Sequence, residues 1–168
     1  MLQGAAAIRA ERPADGPAIA ALHRDAFDGP DEALLVDRLR ADGDVVLSRV
    51  ACAGPAVIGH ILFSRMDAPF PALALAPLAV AADHRRQGIA AALIGDGLAA
   101  ARVRGWVAVF VLGDPAYYQR FGFSHEAAAG FESPYQGPGF MMCAIDPGGL
   151  PAGGRGVLHH APAFARLG

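Results

Sequence analysis

Arg85-Arg86-Gln87-Gly88-Ile89-Ala90 follows an apolar run and precedes a block of small and aliphatic residues. A helix that starts there leaves the N–H groups of its first turn without partners, and its dipole adds about half a positive charge. Arg85 and Arg86 bring charge that needs no deprotonation, and Gly88 and Ala90 keep side chains away from the backbone. A pyrophosphate matches such a nest. The plain alternative is a solvated strand-to-helix turn, and on these residues alone both readings stand. A dinucleotide fingerprint does not fit: Gly88-x-Ala90 lacks the full GxGxxG, and no acidic residue follows at a strand end about 20 residues on.

Two further features fall near this junction. Pro77 lies in the preceding apolar run, where it cannot donate to a sheet ladder. It marks either a bulge or edge that frees the backbone of Leu78, Ala79 and Val80, or simply the start of a short strand. Tyr117 and Tyr118 open a short helix directly after the apolar run 106–112, with Asp114 as its cap and Pro115 at its first position. Ligands of open α/β sheets bind beyond the carboxyl ends of strands, and both the arginine turn and the tyrosines belong to that end.

The elements that must hold these residues read as β-αα-βββ-α-β-α-β. A strand near Ala6–Ala10 precedes a helix capped by Asp15 and running to Phe27, with Ile19, Leu22 and Ala26 inward. A second helix starts near Asp31 and stops at Gly43, with Leu34, Leu35 and Leu39 inward. Strands 45–52 and 56–65 form a hairpin through Gly54-Pro55, and a third strand lies within 73–81. A helix over 88–104 leads to strand 106–112, which is apolar enough to be buried on both faces. The crossover 73–112 makes its two strands parallel. Phe123 onward and 139–145 supply the last strands, and the Pro/Gly loop 146–156 leads to a short tail. The fold class is mixed α/β: one central twisted sheet of about six to seven strands with flanking helices, in one domain spanning 1–168.

Composition sets outer limits. The 168 residues are 54% hydrophobic and 18% charged, which fits a globular chain. A net charge of −2 gives no overall positive field for nucleic acid. All 14 basic residues are arginine. Without lysine, Walker-type phosphate loops and Schiff-base chemistry are excluded. No GxSxG elbow is present, and His159-His160 lacks metal-ligand spacing, so no metal is expected. Cys52 and Cys143 read as free thiols of a cytoplasmic protein. No charged leader and no apolar run of membrane-spanning length is found, so no membrane partner is expected.

With these residues in view, the chain resembles the GCN5-related N-acetyltransferase (GNAT) superfamily. Its Arg/Gln-x-x-Gly-x-Gly/Ala signature stands here as Arg85 to Ala90, and its aromatic four residues before a Gly-Phe pair stands as Tyr118 before Gly122-Phe123. "VFVLGDPAYYQRFGF", "PLAV" and "HHAPAF" together look like one bacterial subgroup of predicted N-acetyltransferases. The resemblance implies acetyl-CoA as co-substrate and a primary amine, on a small molecule or peptide, that attacks directly in a ternary complex. Its pyrophosphate would lie on the amides from Arg86 to Ala90, flanked by Arg85. Its pantetheine arm would pair with Leu78–Val80, and a backbone N–H near Leu78 or Ala79 would hold the carbonyl oxygen. Tyr118 is the expected proton donor to the leaving thiolate, and Tyr117 is expected to pack.

Strand 73–81 carries no carboxylate, where many relatives place a glutamate. The general base is therefore open among His60, His125, Glu126, Glu32 and water, with His60 read foremost as a core residue. The loop 28–33 and the segments 67–72 and 125–140 are the expected acceptor walls. Homodimerisation is left open. The alternative reading is a non-catalytic acyl-CoA-binding sensor or interaction module on the same fold.

Overall fold

The computed structural model describes residues 6–166. Six strands form one sheet in the order β1-β2-β3-β4-β5-β7. They are β1 (Ala7–Ala10), β2 (Val45–Ala53), β3 (Ala56–Met66), β4 (Ala72–Val80), β5 (Ala108–Leu112) and β7 (Phe140–Ala144), and a separate short pair joins β6 (Phe131–Glu132) to β8 (Gly156–Val157). β1 to β4 run antiparallel to one another, β4 and β5 are parallel, and β5 and β7 are antiparallel. The expected element order and the parallel crossover are both present.

Helices cover both faces. α1 (Gly16–Phe27) and α2 (Asp31–Ala41) bury Ile19, Leu35, Val36 and Leu39 with Phe110 and Phe140 of the sheet. α3 (Ile89–Val103) buries Ile89, Leu93 and Ile94 on the other face with Phe63, Val109 and Val111. β5 thus sends Phe110 one way and Val109 and Val111 the other, which explains its unbroken apolar run. α3 continues through Gly95 and Gly97. A Cβ at Gly97 would fall 2.3 Å from Phe63 Cε2, so its absence lets the helix lie directly on β3.

Three local expectations are corrected. Asp15 stands at the start of α1 but does not cap that helix with its side chain, which instead closes the short turn Pro13–Asp15. Its carboxylate accepts from the Arg9 guanidinium at 2.7 and 2.9 Å and from the Arg12 N–H at 2.7 Å. These bonds, Arg9's first, hold it at about 2. Leu34 is exposed, because Ala33, Leu35, Val36 and Leu39 already fill the buried face of α2. The segment after Phe123 also differs from a continuous strand: Ser124 makes one isolated bridge to Met142 and caps the short α5 (His125–Ala128) through Ala127 N–H.

Candidate active site

β4 is anchored on β3 along its whole length but on β5 only at Ala72, Leu73 and Ala74. β5 instead follows β7 to Leu112↔Phe140, so the sheet splits into a V between β4 and β5. The register places Ile61 opposite Leu78 and Phe63 opposite Leu75, so Ala76 and Pro77 together oppose Leu62. This is the bulge in an interior strand that Pro77 pointed to. The Ala76–Pro77 peptide bond is cis. Ala81 N–H donates to Ile58 O at 2.8 Å, facing β3. Strand alternation then turns Ala79 toward β3 as well, and Leu78 and Val80 toward the open side of the V.

The tip of β4 leads into the arginine turn. Arg86 (φ 63) and Gly88 (φ 78) both adopt the left-handed region, and α3 begins at Ile89 with no side-chain cap. Gly88 O accepts the first helical bond, from Ala92 N–H at 3.0 Å. The N–H groups from Arg86 to Ala91 have no acceptor among the described residues, which makes this turn a row of free donors. A Cβ built on Gly88 meets nothing within 4 Å, so the space before these donors is open. A cavity of about 450 Å³ lies there, lined by Val80, Arg85, Arg86, Gly88, Tyr117 and Arg120 among others and by no carboxylate. Arg120 is held 5.0 Å over the Tyr117 ring. The turn fits a pyrophosphate by donor set, charge and space.

A second cavity of about 310 Å³ occupies the mouth of the V. Ala74 to Leu78 of β4 and Phe110 to Leu112 of β5 form two of its sides, and Tyr118 closes on it. Tyr118 belongs to the four-residue helix α4 (Pro115–Tyr118), capped as expected by Asp114, whose Oδ1 accepts from Ala116 N–H at 3.0 Å. Burial, and secondarily Tyr117, pushes the Tyr118 phenol up to about 12, so it stays protonated. Glu32, Tyr135 and His160 are the remaining polar side chains of the lining, and Glu32 is its only charged one.

The expected residues therefore divide. Leu78 and Tyr118 line the mouth of the V, while Val80, Arg85, Arg86, Gly88, Ile89 and Ala90 line the arginine cavity. Ala79 is buried against β3, and Gln87 lines neither cavity although its N–H belongs to the free row. Tyr117, expected only to pack, lines the arginine cavity. Among the base candidates Glu32 alone reaches the V. His60 is fully buried between His23 and Ser48, at 2.7 and 2.8 Å, and His125 Nδ1 faces Phe140 O at 3.3 Å. Of the expected acceptor walls, 28–33 and 125–140 contribute and 67–72 does not.

Arg120, His160 and Phe164 were missed. The tail is no loose end: β8 pairs with β6, and Asp67 and His159 exchange backbone bonds of 2.9 Å each. This brings His160 and Phe164 to the cavity. The spacing of the buried residues Leu158, Ala161 and Phe164 was the available signal.

A family model described as the acetyltransferase (GNAT) family matches residues 16–123. The chain is 45% identical over 120 residues to the uncharacterized N-acetyltransferase YhbS of Escherichia coli K12, covering 69% of this chain and 72% of that protein. It is 38% identical over 122 residues to the uncharacterized N-acetyltransferase YjhQ of the same strain, covering 67% of each. The crystal structure of E. coli YhbS in complex with CoA superposes with a TM-score of 0.87 at 35% identity, covering 98% of this chain and 94% of that one. A GNAT family acetyltransferase from Brucella melitensis in complex with acetyl-CoA gives 0.79 at 32% identity, covering 94% and 97%.

Proposed function

The chain belongs to the GNAT acetyltransferase family, and we propose that it transfers the acetyl group of acetyl-CoA to a primary amine across the V between β4 and β5. It is an acetyl-CoA-dependent N-acetyltransferase. The observation that carries the site assignment is the continuity of one path: the open edge at Leu78 and Val80 reaches, across the turn Ala82–His84, the cavity before the free N–H row of Arg86 to Ala91, which Val80 also lines.

Bound acetyl-CoA supplies a thioester whose carbonyl carbon takes the amine lone pair, so a C–N bond forms and the C–S bond breaks. The residues from Arg86 to Ala91 hold the pyrophosphate, with Arg85 and Arg120 beside it. Val80 N–H, on the open side, hydrogen-bonds the amide arm. Leu78 N–H donates to the carbonyl oxygen as negative charge develops, an effect worth about 3–4 kcal/mol at comparable sites. Tyr118 donates to the departing sulfur.

A phenol at about 12 facing a thiol near 8.5 makes full proton transfer uphill by roughly 5 kcal/mol. Tyr118 therefore acts as a neutral hydrogen-bond donor, and the thiol's proton comes in the end from the amine. The net change is an ammonium and a thioester giving an amide, a thiol and one proton. Positioning supplies the rest. We assign the residues 1–168 to one acetyltransferase domain. We place it in the cytoplasm, a compartment that suits the free thiols of Cys52 and Cys143.

The test is thiol release from acetyl-CoA with a panel of primary amines, beside calorimetric binding of acetyl-CoA. Turnover in wild type, slowed in Tyr118→Phe at unchanged acetyl-CoA affinity, supports the reading. Tight binding with no turnover on any amine would leave the sensor reading, which the absence of a carboxylate on β4 otherwise favours.

A further inference from the structure

The cavity at the mouth of the V carries groups to which the steps described above assign no part. Glu32 Oε2 is buried and has no hydrogen-bond partner among the described residues, and the same holds for His160 Nδ1. His160 stands at the centre of an aromatic cluster, with ring centroids 4.7 Å from Tyr135, 5.6 Å from Phe164 and 6.1 Å from Phe140. Burial pushes its imidazole down to about 4, so this wall is uncharged at neutral pH. Phe27 adds a further aromatic side chain to the lining.

The charge count of this cavity is selective. It holds one carboxylate and no arginine, in a chain whose cationic side chains are otherwise all arginine. A carboxylate or phosphate on the acceptor would be buried beside Glu32 with nothing to neutralise it, and burying an unpaired charge costs several kcal/mol. A polyamine or amino sugar would bring several cations to one carboxylate and a polar body to an aromatic wall. An ammonium on an apolar body meets both needs: its charge is balanced by Glu32, the one acidic residue of the lining, and its body covers the aromatic faces. A volume of about 310 Å³, shared with the acetyl end of the donor, limits that body to a small one.

We propose that the acceptor is a small arylalkyl or alkyl monoamine, which arrives as an ammonium paired with Glu32, loses one proton to solvent past that carboxylate before its neutral nitrogen attacks the thioester, and packs its apolar body on the aromatic wall around His160. The proposal rests on the acetyltransferase reading above. Glu32 sets acceptor specificity, and Phe164 sets the preference for a ring over a short chain.

The experiment compares phenethylamine, ethylamine, phenylalanine and spermidine as acceptors in the thiol-release assay, with acetyl-CoA binding measured by calorimetry on the same preparations. Phenethylamine is expected to exceed phenylalanine and spermidine in kcat/KM by at least tenfold. Glu32→Gln is expected to raise the KM for phenethylamine at least tenfold with the KM for acetyl-CoA unchanged. Phe164→Ala is expected to shrink the preference for phenethylamine over ethylamine. A preference for phenylalanine or spermidine overturns the proposal, as does an unchanged phenethylamine KM in a folded Glu32→Gln protein. Absent turnover of phenethylamine by protein that acetylates another of the four amines also overturns it, whereas acetyl-CoA binding with no turnover of any amine overturns the acetyltransferase reading. Failure to bind acetyl-CoA overturns the donor site instead, and the calorimetry tells the two failures apart.

Discussion

The ring of Tyr118 lies directly over Gly113: a Cβ built at Gly113 falls 2.6 Å from Tyr118 Cε2 and 3.0 Å from Cδ2. The backbone there has little freedom to retreat, because Gly113 N–H donates to Gly139 O at 2.9 Å. In a Gly113→Ala protein the tyrosine must therefore swing away from the cavity. The expected outcome is a fall in kcat of tenfold or more with acetyl-CoA affinity unchanged, matching Tyr118→Phe. Steady-state kinetics and calorimetry on both variants check it, and a Gly113→Ala enzyme of wild-type kcat would remove Tyr118 from the reaction.

Gly88 holds a left-handed conformation (φ 78) before open space. Alanine there costs roughly 1–2 kcal/mol of backbone strain, and its methyl stands among the free N–H groups of the turn. Gly88→Ala should raise the acetyl-CoA Kd at least tenfold, while urea unfolding reports a loss of only that strain. Arg86→Glu should weaken binding as well, and more strongly at low salt, because the arginine is exposed and its field is screened by ions.

Much of this site was legible because its signals are local. A glycine before small residues, a proline in a buried strand and an Asp-Pro helix start each dictate backbone geometry within a few residues. The structure bears out the bulge at Ala76-Pro77 and the Asp114 cap, and it starts the helix expected over 88–104 at Ile89, with Gly88 just before it. Non-local features were hidden. Leu34 and Leu35 are chemically alike, and only packing against the sheet decides which is buried. Asp15 reads as a cap until Arg9, on β1, is found to claim it. His160 and Phe164 reach the cavity through the pairing of β8 with β6, which two-residue strands do not announce.

A buried polar chain makes stability pH-dependent. Ser48 Oγ donates to Glu11 Oε1 at 3.1 Å, so it accepts from His60 Nε2 at 2.8 Å, and His60 Nδ1 then accepts from His23 Nε2 at 2.7 Å. Burial, foremost, holds both imidazoles neutral and lowers their pKa values from 6.5. Below about pH 6.5 the unfolded chain takes up protons that the folded chain refuses. Stability is therefore complete above that pH and falls as the pH drops, with a slope of up to about 2.7 kcal/mol per pH unit from this pair. Urea unfolding at pH 5.5, 6.5 and 7.5 measures it. The double variant His23→Leu/His60→Leu should lose most of the slope, keeping the part due to His160, whose pKa is also lowered, to about 4.

Gly97 tests how α3 is held. Because a Cβ there would lie 2.3 Å from the fully buried Phe63 ring, Gly97→Ala should destabilise the protein by about 1–3 kcal/mol. It should also weaken acetyl-CoA binding, since the free N–H row rides on the same helix. Adding Phe63→Leu makes room for the methyl, so the double variant should recover part of both losses. Thermal melts and calorimetry on the single and double variants decide it.

The most direct test of the account is to incubate the protein with acetyl-CoA and a primary amine and to quantify free thiol and N-acetylated amine together, in wild type and Tyr118→Phe. Equal amounts of the two products are expected, formed at least tenfold more slowly by Tyr118→Phe at undiminished acetyl-CoA affinity. Saturating acetyl-CoA binding with no acetylated product from any amine would contradict it.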